Sequence, residues 1–282
     1  MYDEEFIAGC AELAMLLEVS ATPKPGNVDR THNFADLTYE HFLASAVGVS
    51  PVFKKAASKR NQIGDLILGA VNASAQWQKA GNCHFGAILL LIPLCAAAGK
   101  SSKISQLKTN VVDVVKNTTS ADAVQFYKSF HCVNVRVQEH HFLDVKDPRS
   151  LQTILDQDLT LYKIMQISSS NDTLAREWIE GFPRTFHGSR LMKQYVESGQ
   201  SVNDSIVRLF LKLLGEFPDT LIAKKCGTDV AREVSRKARQ VMRHGGIQDF
   251  DRDLIQRNVN PGTTADLVIA SLFVTLLRGF RY

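Results

Sequence analysis

Several features are scarce or missing in this 282-residue sequence, and each absence removes a class of protein. The five cysteines (Cys10, Cys83, Cys95, Cys132 and Cys226) include no C-x-x-C pair, and their number is odd. That argues against a disulfide framework and a zinc site, and for a reducing compartment. No block of Lys or Arg stands anywhere, so the mild formal charge of +4 does not mark a nucleic-acid-binding arm. The chain opens on Asp3, Glu4 and Glu5, unlike the basic start of a secretory signal. Its most apolar run, residues 87–98, contains Pro93 and falls short of the roughly 20 residues that span a bilayer. A soluble, cytoplasmic protein with no membrane or nucleic-acid partner is expected. Also missing are a P-loop, a G-x-G-x-x-G, a G-x-S-x-G and a zinc signature. Strand-like alternation is confined to Val133, Val135 and Val137.

What is present is helical periodicity on an ordinary globular composition, 45% hydrophobic and 22% charged. Phe6, Cys10, Leu13, Ala14 and Leu17 form one apolar stripe. A second helix begins near Thr38 and is expected to break at 48–51, around Gly48 and Pro51. A third carries Ile63, Leu66, Ile67, Ala70, Val71 and Trp77; Gly81 stops it and Asn82 is placed to cap the next. That next helix, 84–98, is apolar nearly all round, as a central helix is. Further helices are expected at about 104–115, 120–130, 151–165, after the cluster Ser168-Ser-Ser-Asn171, and at 201–214, after Pro218, 229–243 and 263–277. Residues 131–145 are read as a short hairpin or extended loop closed by Pro148. Strands never alternate with helices, no linker divides the chain, and no repeat is found. The expectation is one all-α, multi-helix bundle domain spanning 1–282.

Four places carry polar residues that packing does not require. The first is Glu18-Val-Ser-Ala-Thr-Pro-Lys-Pro-Gly-Asn-Val-Asp-Arg30. Pro23 and Pro25 stiffen the backbone and Gly26 lets it turn, while Ser20, Lys24, Asp29 and Arg30 supply both charge signs. Such a frame suits a polyphosphate held with a metal ion; the plainer reading is a Pro-rich connector with solvated charges. The second is Gly81-Asn-Cys-His-Phe-Gly86, in which a cationic His84 is disfavoured at a helix start and a neutral one suits contact with a ribose hydroxyl.

The third place is Phe217-Pro-Asp-Thr-Leu-Ile-Ala-Lys-Lys-Cys226. Asp219, Thr220, Lys224 and Lys225 combine an acid, a hydroxyl and two bases suited to a metal-bound phosphate chain, unless Asp219 and Thr220 simply cap a helix. The fourth is Asn258-Val-Asn-Pro-Gly-Thr-Thr-Ala-Asp266. Asn260 and Gly262 make a turn, Thr263 or Thr264 caps the last helix, and its free N–H groups suit phosphate. Asp266 enters an otherwise apolar helix, which is costly without a partner or a metal. Asp172 is read as a cap, and His140-His141 as surface.

These motifs, in this order, resemble triphosphoribosyl-dephospho-coenzyme A synthase: residues 18–30, Asn82-x-His-x-Gly-Ala-Ile88, Asp219-Thr220 and Asn260-Pro-Gly-x-x-Ala-Asp-Leu267. The resemblance implies an all-helical, magnesium-dependent transferase. In it the 2′-hydroxyl of dephospho-coenzyme A attacks C1′ of the ATP ribose and expels adenine, making a prosthetic-group precursor for citrate- or malonate-decarboxylating enzymes. Carried onto this chain, Ser20, Lys24, Gly26, Arg30, Asn82, Thr220, Lys224, Lys225, Asn260 and Gly262 contact substrate or phosphate. Asp219 and Asp266 hold Mg2+, and Asp29 or His84 takes the hydroxyl proton. The partners are ATP or a related phosphoribosyl donor and dephospho-coenzyme A or another small acceptor; a homodimer is compatible. Two departures stand out. Phe85 occupies a position where the decarboxylase-linked branch has lysine, and the C-terminal motifs look closer to an archaeal-type branch that carries a glycine-rich stretch in place of Cys132-Val-Asn-Val-Arg136. Other readings are ribosyl-phosphate transfer in methanopterin-type coenzyme assembly, a ribosyl hydrolase, and a nucleotide-binding protein without turnover.

Overall fold

The computed structural model describes residues 2–58, 62–80, 82–132, 143, 144, 147 and 149–281. Among these, fifteen α-helices and no strand are found: α1 Glu4–Ser20, α2 Tyr39–Ala57, α3 Ile63–Trp77, α4 Phe85–Lys100, α5 Leu107–Lys116, α6 Ser120–Phe130, α7 Arg149–Asp156, α8 Leu161–Ser168, α9 Thr173–Glu180, α10 Pro183–Glu197, α11 Val202–Glu216, α12 Thr220–Cys226, α13 Thr228–His244, α14 Ile247–Gln256 and α15 Gly262–Leu277. The all-α expectation holds. The alternating valines 133, 135 and 137, most of the expected hairpin, Gly81, His140-His141 and Pro148 lie outside the described residues. No helix among the described residues is long and apolar enough to cross a membrane.

The helices gather into two compact units, Met1–Glu12 with Ala44–Phe182, and Leu13–Leu43 with Pro183–Tyr282. In the first, α4 is the central element: every residue from Phe85 to Gly99 is buried, and α3, α5 and α9 pack around it. A helix with no polar face has to be enclosed on all sides, which is why the sequence marks it as central. In the second unit α15 plays the same part, packed on α10, α11 and α12, with α13 bridging α11, α12 and α14.

Local details correct several sequence expectations. Helix α2 runs unbroken through Pro51. Gly48 is there for close approach: a Cβ on it would lie 2.7 Å from Trp77 Cδ1 and 3.0 Å from the Ala73 carbonyl. The cap of α4 is His84, in the left-handed region at φ 63, and not Asn82. The 151–165 segment is two helices, separated by a turn with Asp158 at φ 46. Helix α9 is capped by Asp172, as read from the sequence; it accepts from the Leu174 and Ala175 N–H groups at 2.8 and 3.0 Å. Helices α10 and α14 are not delimited by the sequence pattern.

Candidate active site

Residues 18–30 form a tightly held loop in the second unit. Lys24 to Asn27 close a β-turn through the Asn27 N–H and the Lys24 carbonyl at 3.0 Å, with Pro25 second and Gly26 third at φ +72. That is the type II arrangement, which needs glycine at its third residue. Both sides of the turn are clamped. The Asn203 amide accepts from the Thr22 N–H at 3.0 Å and donates to the Thr22 carbonyl at 2.9 Å. Asp251 on α14 accepts the Gly26 N–H at 2.9 Å, and the Asn27 amide donates to Asn260 Oδ1 at 3.3 Å. A Cβ on Gly26 would come within 2.4 Å of the Val259 carbonyl, so the loop lies directly on the segment joining α14 to α15. Asn258, at φ 53, ends α14 there, with the Val259 N–H reaching the Leu254 carbonyl at 2.8 Å.

The charges of this loop are mostly turned inward. Lys24 is fully buried, and its Nζ donates to Glu18 Oε1 at 2.6 Å. It is thus an internal ion pair, where the sequence suggested a phosphate contact: the two prolines and the turn point the side chain back at the end of α1. Asp29, 2% exposed, accepts the Lys24 N–H on Oδ2 at 3.1 Å, and the Thr31 N–H and hydroxyl on Oδ1, both at 2.8 Å. Burial raises the Glu18 carboxyl, against the opposing pull of Lys24, and Asp29 adds to the rise. Burial also raises Asp251, opposed by the Gly26 N–H and His32, with Asp29 again pushing upward. Arg30 stays exposed, one guanidinium nitrogen 3.3 Å from Asn203 Oδ1. Ser20 shares a hydrogen bond of 2.9 Å with the Tyr39 hydroxyl.

Asp219, read from sequence as a metal ligand or a cap, is found as a double cap. Its Oδ1 accepts from the Leu221 and Ile222 N–H groups at 2.8 and 3.1 Å, and its Oδ2 from the Thr264 N–H and hydroxyl at 2.7 and 2.8 Å. The Thr263 hydroxyl accepts a second bond from the Leu221 N–H at 3.1 Å and lies 3.3 Å from the Thr220 hydroxyl. One buried carboxylate therefore ties the starts of α12 and α15 together. Burial raises its carboxyl, while these donors oppose the rise. Lys224 is half-buried and Lys225 exposed further along α12; Asn260, Gly262 and Asp266 are half-buried around the start of α15.

Among the described residues no three His, Cys, Asp or Glu side chains are grouped to hold a metal ion by themselves. The oxygen donors here still fit magnesium, which keeps several waters and takes one or two carboxylates together with phosphate oxygens. Asp266 fits that part; Asp219 has all its acceptor positions taken by the protein.

His84 and Asn82 belong to the first unit. His84 is buried, and its Nδ1 lies 3.1 Å from the Ser45 hydroxyl. Phe85 closes an aromatic cluster with Phe130 and Phe126, ring centroids 5.0 and 6.2 Å away. That hydrophobic cluster accounts for phenylalanine at this position. Sequence reasoning missed Asn203 and Asp251, which aim the loop, and the buried partner role of Glu18. Only the general need of the Thr22, Gly26 and Lys24 polar groups for partners pointed that way, and it does not say which residues supply them.

A family model described as ATP:dephospho-CoA triphosphoribosyl transferase matches residues 4–281. A crystal structure described as that of a candidate triphosphoribosyl-dephospho-CoA synthase from Archaeoglobus fulgidus is similar at 28% identity and a TM-score of 0.72, over 85% of this chain and 100% of that one.

Proposed function

The chain belongs to the ATP:dephospho-CoA triphosphoribosyl transferase family, and from that membership we propose that it transfers the triphosphoribosyl group of ATP to a ribose hydroxyl of dephospho-coenzyme A, with magnesium bound and adenine released. The observation that carries this reading is the seating of the 18–30 loop on the α14–α15 segment, through Gly26, Asn27, Asp251 and Asn260. It joins the first and fourth polar motifs, and the Asp219 cap on Thr264 adds the third, around the start of α15, whose remaining N–H groups favour phosphate. In this proposal Arg30, Lys224, Lys225 and Gly262 hold the phosphate chain. Asp266, with phosphate oxygens and water, would hold magnesium, which would supply charge neutralisation along the triphosphate. Lys24 and Glu18 keep the loop in shape, and Asp219 keeps α12 and α15 aligned.

In the reaction the C1′–N9 bond of ATP breaks while a C1′–O bond forms to the acceptor. The hydroxyl proton passes to a base, for which Asp29 is the candidate, having an acceptor position left on Oδ2 beside the Lys24 N–H. Adenine leaves with the bonding electron pair and takes up a proton. Positive charge grows at the sugar in the transition state, and a carboxylate on the loop, such as Asp29, is suited to stabilise it.

The test is chromatography of free adenine after incubating the protein with magnesium, ATP and dephospho-coenzyme A, beside a set without acceptor. Acceptor-dependent adenine with a matching adduct mass is expected, and chelation of magnesium by EDTA should abolish it. Adenine without an adduct would mean hydrolysis. No adenine in either set would reject ATP as donor. A second reading, transfer to a different acceptor, is favoured by Phe85, which offers packing where a cation stands in the related branch; the same assay with other ribose-bearing acceptors decides it.

A further inference from the structure

A cleft of about 470 Å³ opens beside α13 in the second unit, lined by Pro218 and by Asp229, Arg232, Ser235, Arg236 and Arg239. No residue given a part in the transfer reaction lines it, and the site does not rest on that reading; only the choice of its ligand does. Arg232, Arg236 and Arg239 stand at i, i+4 and i+7, so the helix sets three cations in one row along the cleft. Such a row repels itself unless acids are set among the arginines. The acids on α13 are drawn elsewhere or lie out in water. Both oxygens of Glu233 accept from Arg257, at 2.9 and 3.1 Å. Asp229 lies 3.6 Å from Arg232, but its side chain is 97% exposed and the pair is screened. Arg236 acts on Glu233 only by charge, behind Arg257, and forms no hydrogen bond or ion pair among the described residues.

One of these guanidinium groups is held in place by the wall of the cleft. Ser235 Oγ donates to the Gly215 carbonyl at 2.9 Å. Arg239 Nη1 donates to the same carbonyl at 2.5 Å and to Ser235 Oγ at 3.3 Å. Gly215 permits this approach, since a Cβ on it would lie 3.0 Å from Arg239 Cγ. With Nη1 occupied, the Nε–H and the two Nη2 N–H groups of Arg239 have no partner among the described residues. Those groups form the planar fork that takes two oxygens of one phosphate. We propose that this cleft is a second phosphate site, which takes the diphosphate or longer phosphate chain of a nucleotide-type small molecule. Its volume lies within the roughly 300–1,000 Å³ of small-molecule sites, and three arginines in a row match a chain of phosphates better than a single one. Both substrates of the proposed transfer carry such a chain. Pro218 directly precedes Asp219, which ties α12 to α15, so one wall of the cleft is continuous with the candidate active site.

The experiment is isothermal titration calorimetry of pyrophosphate into the full-length chain carrying Lys225→Ala, which weakens the phosphate contact proposed on α12. Further changes are made on that background. Arg236→Ala should weaken pyrophosphate binding by about tenfold, the loss of one charge-assisted contact. Arg239→Ala should do the same, and Arg236 is exposed, so its removal leaves the fold intact as read by circular dichroism. Lys237→Ala removes an equal charge from the same helix but outside the cleft, and should leave the affinity within about twofold. An equal loss in Lys237→Ala overturns the proposal, because the effect is then one of overall charge. No pyrophosphate binding, or binding unchanged in Arg236→Ala and Arg239→Ala, overturns it as well. Separate titrations of dephospho-coenzyme A and ATP identify the source of the chain: the one whose affinity falls in Arg236→Ala is the molecule the cleft takes. If binding depends on the arginines and wild type releases no adenine, the transfer reading falls and the site stands. Adenine release with binding indifferent to the arginines would remove the site and leave the transfer reading in place.

Discussion

Gly26 is the residue on which the loop turns, and it tolerates nothing larger. At φ +72 an alanine is strained by about 1–2 kcal/mol, and its Cβ would strike the Val259 carbonyl. Gly26→Ala is expected to cost roughly 2–4 kcal/mol in urea unfolding and to weaken ATP binding together with stability. Glu18 and Lys24 form a different kind of dependence. Each alone is a buried charge once the other is gone, so Glu18→Ala or Lys24→Ala should each lose about 3–5 kcal/mol. The double change Glu18→Leu with Lys24→Met should recover most of that loss, and a double-mutant cycle measures the coupling. The proline and glycine positions announced the turn in the sequence, since their backbone limits are local. The burial of Lys24 was not announced: lysine is read as a surface residue until its partner, six residues earlier and at the end of a helix, is seen beside it.

At the scale of elements the cross-cap is the decisive feature. Asp219→Ala removes the acceptors of two helix starts at once and should cost roughly 2–4 kcal/mol, seen as a lower urea midpoint. Its titration gives a second check. Burial pushes the Asp219 carboxyl above its ordinary value of 3.8, so the folded chain keeps this proton to higher pH than the unfolded chain does. The stability tied to the group is then fully present below that ordinary value and declines as pH rises through the higher folded value. Asp219→Asn has no proton to lose. The stability of wild type relative to Asp219→Asn should therefore fall as pH is raised from about 4 to 7, and a flat difference in thermal midpoints would contradict burial as the cause. Helix positions were largely legible because apolar spacing is a local property. Caps were less so: the start of α4 falls at His84, which makes no side-chain cap, and not at Asn82, because the point where the chain enters a helix is set by the backbone path in three dimensions. Helix α14 escaped notice because its buried face is only Phe250, Asp251 and Leu254 among charged neighbours.

Taken whole, the molecule separates its thiols by environment. Cys10, Cys83 and Cys95 are buried, and Cys132 and Cys226 exposed. Burial pushes the Cys83 thiol up to about 12 and the Cys95 thiol well above its ordinary value. Iodoacetamide at pH 8 should label Cys132 and Cys226 in the native protein and all five cysteines only after unfolding, as counted by mass. Rapid labelling of Cys83 in native protein would contradict its buried setting.

The sequence by itself determined the all-helical class, the central place of the apolar α4 helix, the apolar character of α15, and family membership through four short motifs. Each of these rests on residue type and near spacing. Only the tertiary structure decided what the motif residues do to one another. Lys24 is turned inward to Glu18, Asp219 is spent on two helix starts, and Gly26 is pressed onto a carbonyl more than 200 positions away in the chain. Hydrogen bonds and close contacts of that kind depend on distances set by packing, and packing is not written in the spacing of residues along one segment.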